Sequence, residues 1–99
     1  MAKVIFSIQY DVFPAKREDY LGIIRELKTL VNANGLIGYA VYEKKNKKNS
    51  FIESYEFENE QAYEEFDDND NERIDILMSK LSDLIKENTT TYTTMFEVL

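Results

Sequence analysis

The side chains able to do chemistry in this chain are few, and what is missing defines them first. Histidine, cysteine and tryptophan are all absent. Without histidine there is no side chain that titrates near neutral pH and no imidazole metal ligand, so Ser-His-Asp triads and histidine-based zinc sites are excluded. Without cysteine there can be no disulfide, thiolate nucleophile, iron–sulfur cluster or cysteine zinc site. What remains is a set of polar and amphipathic residues within alternating apolar stretches: Ser7, Gln9, Tyr39, Tyr42, Glu53, Tyr55 and Glu56. A few such groups on an apolar wall orient a ligand, and a desolvated glutamate with a raised pKa can act as a base. The plainer reading has these groups satisfy one another at an interface or lie on an exposed strand edge. Ser7, Gln9, Tyr42, Glu53 and Tyr55 are the expected ligand-binding residues; no catalytic residue and no metal ligand is assigned.

The elements that must position them follow from periodicity. In residues 3–10, Val4, Phe6, Ile8 and Tyr10 alternate with Lys3, Ser7 and Gln9, so a strand turns one apolar face to a core while Ser7 and Gln9 face away. Pro14 suits a first helical turn, and Glu18 and Asp19 complement the positive end of a helix beginning there. Tyr20, Ile24, Leu27 and Val31 recur at helical spacing, and Gly35 suits the left-handed position just past a helix end. Tyr10 and Tyr20 fall on core faces and are read as structural.

Residues 36–43 and 50–57 read as a hairpin around the basic turn 44–49. In its first arm Ile37, Tyr39 and Val41 share a face; in its second Phe51, Glu53, Tyr55 and Phe57 do, with Ile52, Ser54 and Glu56 opposite. A short helix with Asn59 as N-cap spans residues 59–66, a second runs from about 73 to 87 with the stripe Ile74, Leu77, Met78, Leu81, Leu84 and Ile85, and residues 91–99 form a last strand. The acidic run 67–72 is not an EF-hand loop: counted from Asp67, the glycine position holds Glu72 and the bidentate glutamate position holds Met78. It reads as a solvated connector.

The order strand, helix, strand, strand, helix, strand is the ferredoxin-like βαββαβ arrangement, an α+β fold with a four-stranded antiparallel sheet and both helices on one face. Residues 1–99 are expected to form one such domain. The bare face of the sheet carries apolar side chains in either strand parity, and its simplest cover is a second copy, hence an expected homodimer. A net charge of −7 argues against nucleic acid as a partner, and no apolar run is long enough to span a membrane. A cytoplasmic location is the default expectation.

The strand leading through Val12 to Pro14, Gly35 followed by Gly38 and Tyr39, and Glu56 and Phe57 ahead of Asn59, Glu60, Gln61 and Ala62 together resemble the antibiotic biosynthesis monooxygenase domains of the dimeric α/β-barrel superfamily. The resemblance implies a homodimer whose sheets face each other around a cavity, an aromatic or hydrophobic small-molecule ligand, and cofactor-independent monooxygenation in catalytic members, so no cofactor is expected. Many members carry a histidine where this chain has Phe66. Heme-degrading relatives use that histidine with a tryptophan and a strand-one asparagine, whereas this chain offers Ser7 or Gln9 and neither of the others. The alternatives are a non-catalytic dimerisation or regulatory module and a protein-binding scaffold.

Overall fold

The alternation at the N-terminus becomes the central strand of a sheet. In the computed structural model, which describes residues 2–66 and 71–99, β1 (Val4–Asp11) lies between β3 (Ser50–Phe57) and β4 (Thr91–Phe96), with β2 (Leu36–Glu43) outside β3 in the order β2-β3-β1-β4. All three pairings are antiparallel. Helix α1 (Arg17–Leu30) follows a single 3-10 turn, Pro14–Lys16, whose proline occupies the position where its missing N–H costs nothing. Helices α2 (Glu60–Glu65) and α3 (Glu72–Ser82) follow β3. This is the ferredoxin-like topology expected from the sequence.

Even-numbered residues of β1 and odd-numbered residues of β3 turn to the helices, because side chains alternate along a strand. Tyr10 and Phe51 meet Tyr20, Ile24 and Leu27 of α1 and Leu77 and Leu81 of α3 in one core cluster. Val4, Tyr55 and Phe57 join Ala62 of α2 in a second, with Phe6, Leu36, Tyr63 and Phe66 packed against it. Arg17 at the head of α1 donates to both Glu43 oxygens, at 2.5 and 3.0 Å, and to Asn49 Oδ1 at 3.0 Å. It thereby ties the helix to the β2–β3 turn. That turn needs a left-handed residue, and Asn49 supplies it at φ 65°.

The structure departs from the sequence expectation in three places. A bulge in β2 between Leu36 and Gly38 puts Leu36 opposite Phe57 on the helix side and leaves Ile37 52% exposed, so Ile37 does not share the face of Tyr39 and Val41. Helix α3 ends at Ser82 rather than near 87, although Leu84 stays in the core cluster and Ile85 packs against it. The chain leaves the helix there because Ile85 bridges to Val12 and the Lys86 N–H donates to the Asp11 carbonyl, bonds a continued helix would forgo. Strand β4 ends at Phe96, three residues short of the expectation. Most of the acidic run, residues 67–70, lies outside the described residues, and its Asn71 caps α3 by accepting from the Ile74 N–H at 3.1 Å.

Asn59 caps α2 in the same way, accepting from the Ala62 N–H at 2.8 Å. Replacing Asn59 by alanine is expected to lower folding stability by about 1 kcal/mol, the usual cost of losing an N-cap acceptor, read as a lower urea midpoint at unchanged slope.

Candidate functional site

Glu53 faces the helices because it shares the parity of Phe51, Tyr55 and Phe57 along β3, and it is 1% exposed. A carboxylate so deep must be compensated by donors. It is, entirely by tyrosines. Tyr10 from β1 donates to Oε2 at 2.7 Å, Tyr39 from β2 donates to Oε1 at 2.8 Å, and Tyr55 donates to Oε1 at 3.3 Å. The Tyr10 hydroxyl also shares a 2.7 Å hydrogen bond with Tyr20 Oη from α1. Three strands and a helix thus converge on one buried carboxyl.

Burial raises the Glu53 pKa above the ordinary carboxylate value, and the three phenol donors pull it partly back. Burial, and then the Glu53 charge, push Tyr10, Tyr39 and Tyr55 upward; burial does the same for Tyr20. All four phenols therefore remain protonated donors across the physiological range. Surface carboxylates behave oppositely: Arg17 and the Asn49 N–H hold Glu43 down to about 2, and Lys47 lowers Asp11.

Glu53 and Tyr10 border an open cleft between the sheet and the stretch running from α3 into β4. One lobe, about 340 Å³, is walled by Ile8, Tyr10, Glu53, Met78, Leu81, Ile85 and Tyr92, with Lys86 and Glu87 also lining it. An adjoining lobe of about 380 Å³ is lined by Phe6, Ile8, Tyr55, Tyr63, Glu64, Phe66, Met78 and Tyr92. Ile8, Met78 and Tyr92 are common to both. Phe6 stacks with Tyr92 at 6.2 Å between centroids and lies 5.9 Å from Tyr63, giving the second lobe an aromatic wall. Each lobe lies within the usual range for small-molecule sites. A larger hollow of about 520 Å³ between α1 and α3 is lined by surface charges, including the Arg73–Glu26 ion pair, and holds no buried polar group.

Of the residues expected at a pocket, Glu53 and Tyr55 come together here. Ser7, Gln9 and Tyr42 lie on the opposite, helix-free face: Ser7 sits between Ser54 and Thr93, Gln9 between Ile52 and Thr91, and Tyr42, 59% exposed, is beside Ile52. Glu56 is on that face too, paired with Lys3 at 3.6 Å. Tyr10 and Tyr20 are core residues as read, yet they also complete the Glu53 network. The signal for Tyr10 was its parity on the apolar face of strand one; the pairing of β1 with β3 is what sets that face on the same side of the sheet as Glu53. Phe6, Ile8, Tyr63, Met78 and Tyr92 gave no separate signal, since cleft-lining and core-filling residues look alike in sequence. Among the described residues no group of three acidic side chains could hold a metal ion, and no helix is long and apolar enough to cross a membrane.

Fold and cleft together define a ferredoxin-like α+β domain with a concave, aromatic-walled site on its helix side. The chain belongs to the antibiotic biosynthesis monooxygenase family, whose model matches residues 1–71. No curated protein matches it by sequence. Among solved structures it is similar to a conserved protein from Methanosarcina mazei Go1, at TM-score 0.79 and 16% identity over 96% of this chain and 92% of that one. A structure described as an antibiotic biosynthesis monooxygenase superimposes at TM-score 0.76 with 19% identity, covering 100% of both chains. A variant of SnoaB, a cofactor-independent oxygenase from Streptomyces nogalater, matches at TM-score 0.67 and 13% identity, over 98% of this chain and 92% of that one. At these identities the likeness is one of fold.

Proposed function

We propose that this protein is a cytoplasmic homodimer that binds a small aromatic molecule in the cleft between sheet and helices and oxygenates it with molecular oxygen, without an added cofactor. The observation that carries this reading is the buried Glu53 carboxyl at the inner wall of an aromatic-lined cleft. The rings of Phe6, Tyr63 and Tyr92 give a planar ligand an aromatic lining to pack on, and Glu53 accepts the hydrogen bond or proton of its polar group. Family membership and the cofactor-independent chemistry of SnoaB support the oxygenase form. A balanced reaction of that kind converts an activated CH2 and O2 into a carbonyl and water, with the substrate supplying all the electrons. The dimer is supported by the helix-free sheet face, which carries two apolar pairs, Ile5 with Met95 and Tyr42 with Ile52, on either side of the row formed by Ala40, Ser54, Ser7 and Thr93.

Oxygen uptake with hydroxylated naphthalenes and anthracenes tests the reaction, and light scattering over a dilution series tests the assembly. Uptake above the protein-free blank is expected, falling roughly 100-fold in Glu53→Ala and in Met78→Trp, which fills the junction of the two lobes. Blank-level uptake with every compound overturns the oxygenase, and a monomer mass overturns the dimer. A second reading, a non-catalytic regulatory or dimerisation module, draws support from Glu53 already receiving three bonds from its own chain. Ligand binding without oxygen uptake would select it.

A further inference from the structure

We propose that the group meeting Glu53 in this cleft is a protonated amine, so that the ligand is an organic ammonium ion bearing an aromatic ring. The inference rests on the cleft being the ligand site, as argued above, and deepens it to a substrate class.

The first argument is a count of acceptor positions. A carboxylate offers about four. Glu53 Oε1 accepts from Tyr39 and Tyr55, whereas Oε2 accepts only from Tyr10, leaving one position on the oxygen that Tyr10 holds; both residues border the cleft. The second argument is charge. The four ion pairs among the described residues engage Asp11, Glu26, Glu43 and Glu56, and none reaches Glu53. A buried carboxylate bonded only by neutral phenols lacks a counter-charge, and a docked ammonium would supply one. The third is the lining: Glu53, Glu64 and Glu87 face a single cation, Lys86, among the charged residues of the two lobes. An anionic ligand meets net repulsion there. The fourth is the aromatic ring of Tyr92, which lines the same lobe as Glu53 and whose negative quadrupole favours a cation nearby. A neutral hydroxyl could fill the open position on Oε2, but it would leave the charge unpaired.

The test is calorimetric titration of the full chain near neutral pH with three ligands of one shape: tyramine, 4-ethylphenol and 3-(4-hydroxyphenyl)propionate. Tyramine is expected to bind about tenfold more tightly than 4-ethylphenol, as for one additional charge-assisted bond, and the propionate most weakly. The preference should vanish in Glu53→Gln, and tyramine binding should be lost in Met78→Trp. Equal affinity for tyramine and 4-ethylphenol overturns the ammonium assignment while leaving the aromatic cleft intact; no binding by any of the three overturns both. The wild-type comparison needs no variant, so it decides the matter even if Glu53→Gln does not fold. Retention of the preference in a folded Glu53→Gln protein, or of tyramine binding in Met78→Trp, also overturns the assignment.

Discussion

Truncating Glu53 to alanine is expected to lower folding stability by about 3 kcal/mol, because it removes one acceptor that serves three buried phenols. Tyr10 would keep its bond to Tyr20, while Tyr39 and Tyr55 would lose the acceptor their hydroxyls have here. Glu53→Gln, which preserves the shape and an acceptor oxygen, should cost much less, and the difference between the two variants in urea midpoint isolates the hydrogen-bond effect. The pH dependence has a definite sign. The folded state raises the Glu53 pKa above its ordinary 4.5, so it binds that proton more tightly than the unfolded chain does. The stabilising contribution is full below the unfolded value and is lost as pH rises through the folded one. Asp11, Glu26 and Glu43 are shifted the other way, but they are common to wild type and variant and cancel in the comparison. Relative to Glu53→Gln, the wild type should therefore weaken as pH rises above about 4.5. A wild type that instead gains on the variant with rising pH would show that the phenol donors outweigh desolvation.

Gly35→Ala should be comparably damaging for a different reason. Gly35 sits at φ 81°, where an L side chain is strained, and an added methyl would collide with the Ala62 side chain of α2. Its carbonyl also accepts from the Glu58 N–H at 2.8 Å, so the backbone cannot move away without losing that bond. Strain and overpacking together are expected to cost about 3 kcal/mol, visible as a lower thermal midpoint. The double variant with Ala62→Gly should recover part of the loss by relieving the collision while leaving the backbone strain. No recovery would mean that φ alone governs the position.

Much of this architecture could be read from spacing. The alternation of Val4, Phe6, Ile8 and Tyr10, the helical recurrence of Tyr20, Ile24 and Leu27, and the Asn59 cap are local patterns, and local patterns fix local structure. Gly35 was legible only in its left-handed φ: α1 ends at Leu30 with an extended Val31 as its cap, so this glycine serves the turn into β2 and not the helix end. The bulge at Leu36 and Gly38 was not, because one extra residue reverses parity without any change in composition. The early end of α3 was hidden because Leu84 and Ile85 continue the helical stripe, and only the bonds from Ile85 and Lys86 to the end of β1 end it.

At the site, strand alternation alone puts Glu53 on one face with Phe51, Tyr55 and Phe57, and composition denies any mechanism a histidine, cysteine or tryptophan. That the helices cover this face, that Ser7, Gln9 and Tyr42 lie on the other, and that Tyr10, Tyr20 and Tyr39 converge on one carboxyl came from the folded arrangement of strands and helices. The physical reason is that parity is a property of one strand, whereas the register between strands and the choice of packed face depend on residues as far apart as Tyr10 and Glu53.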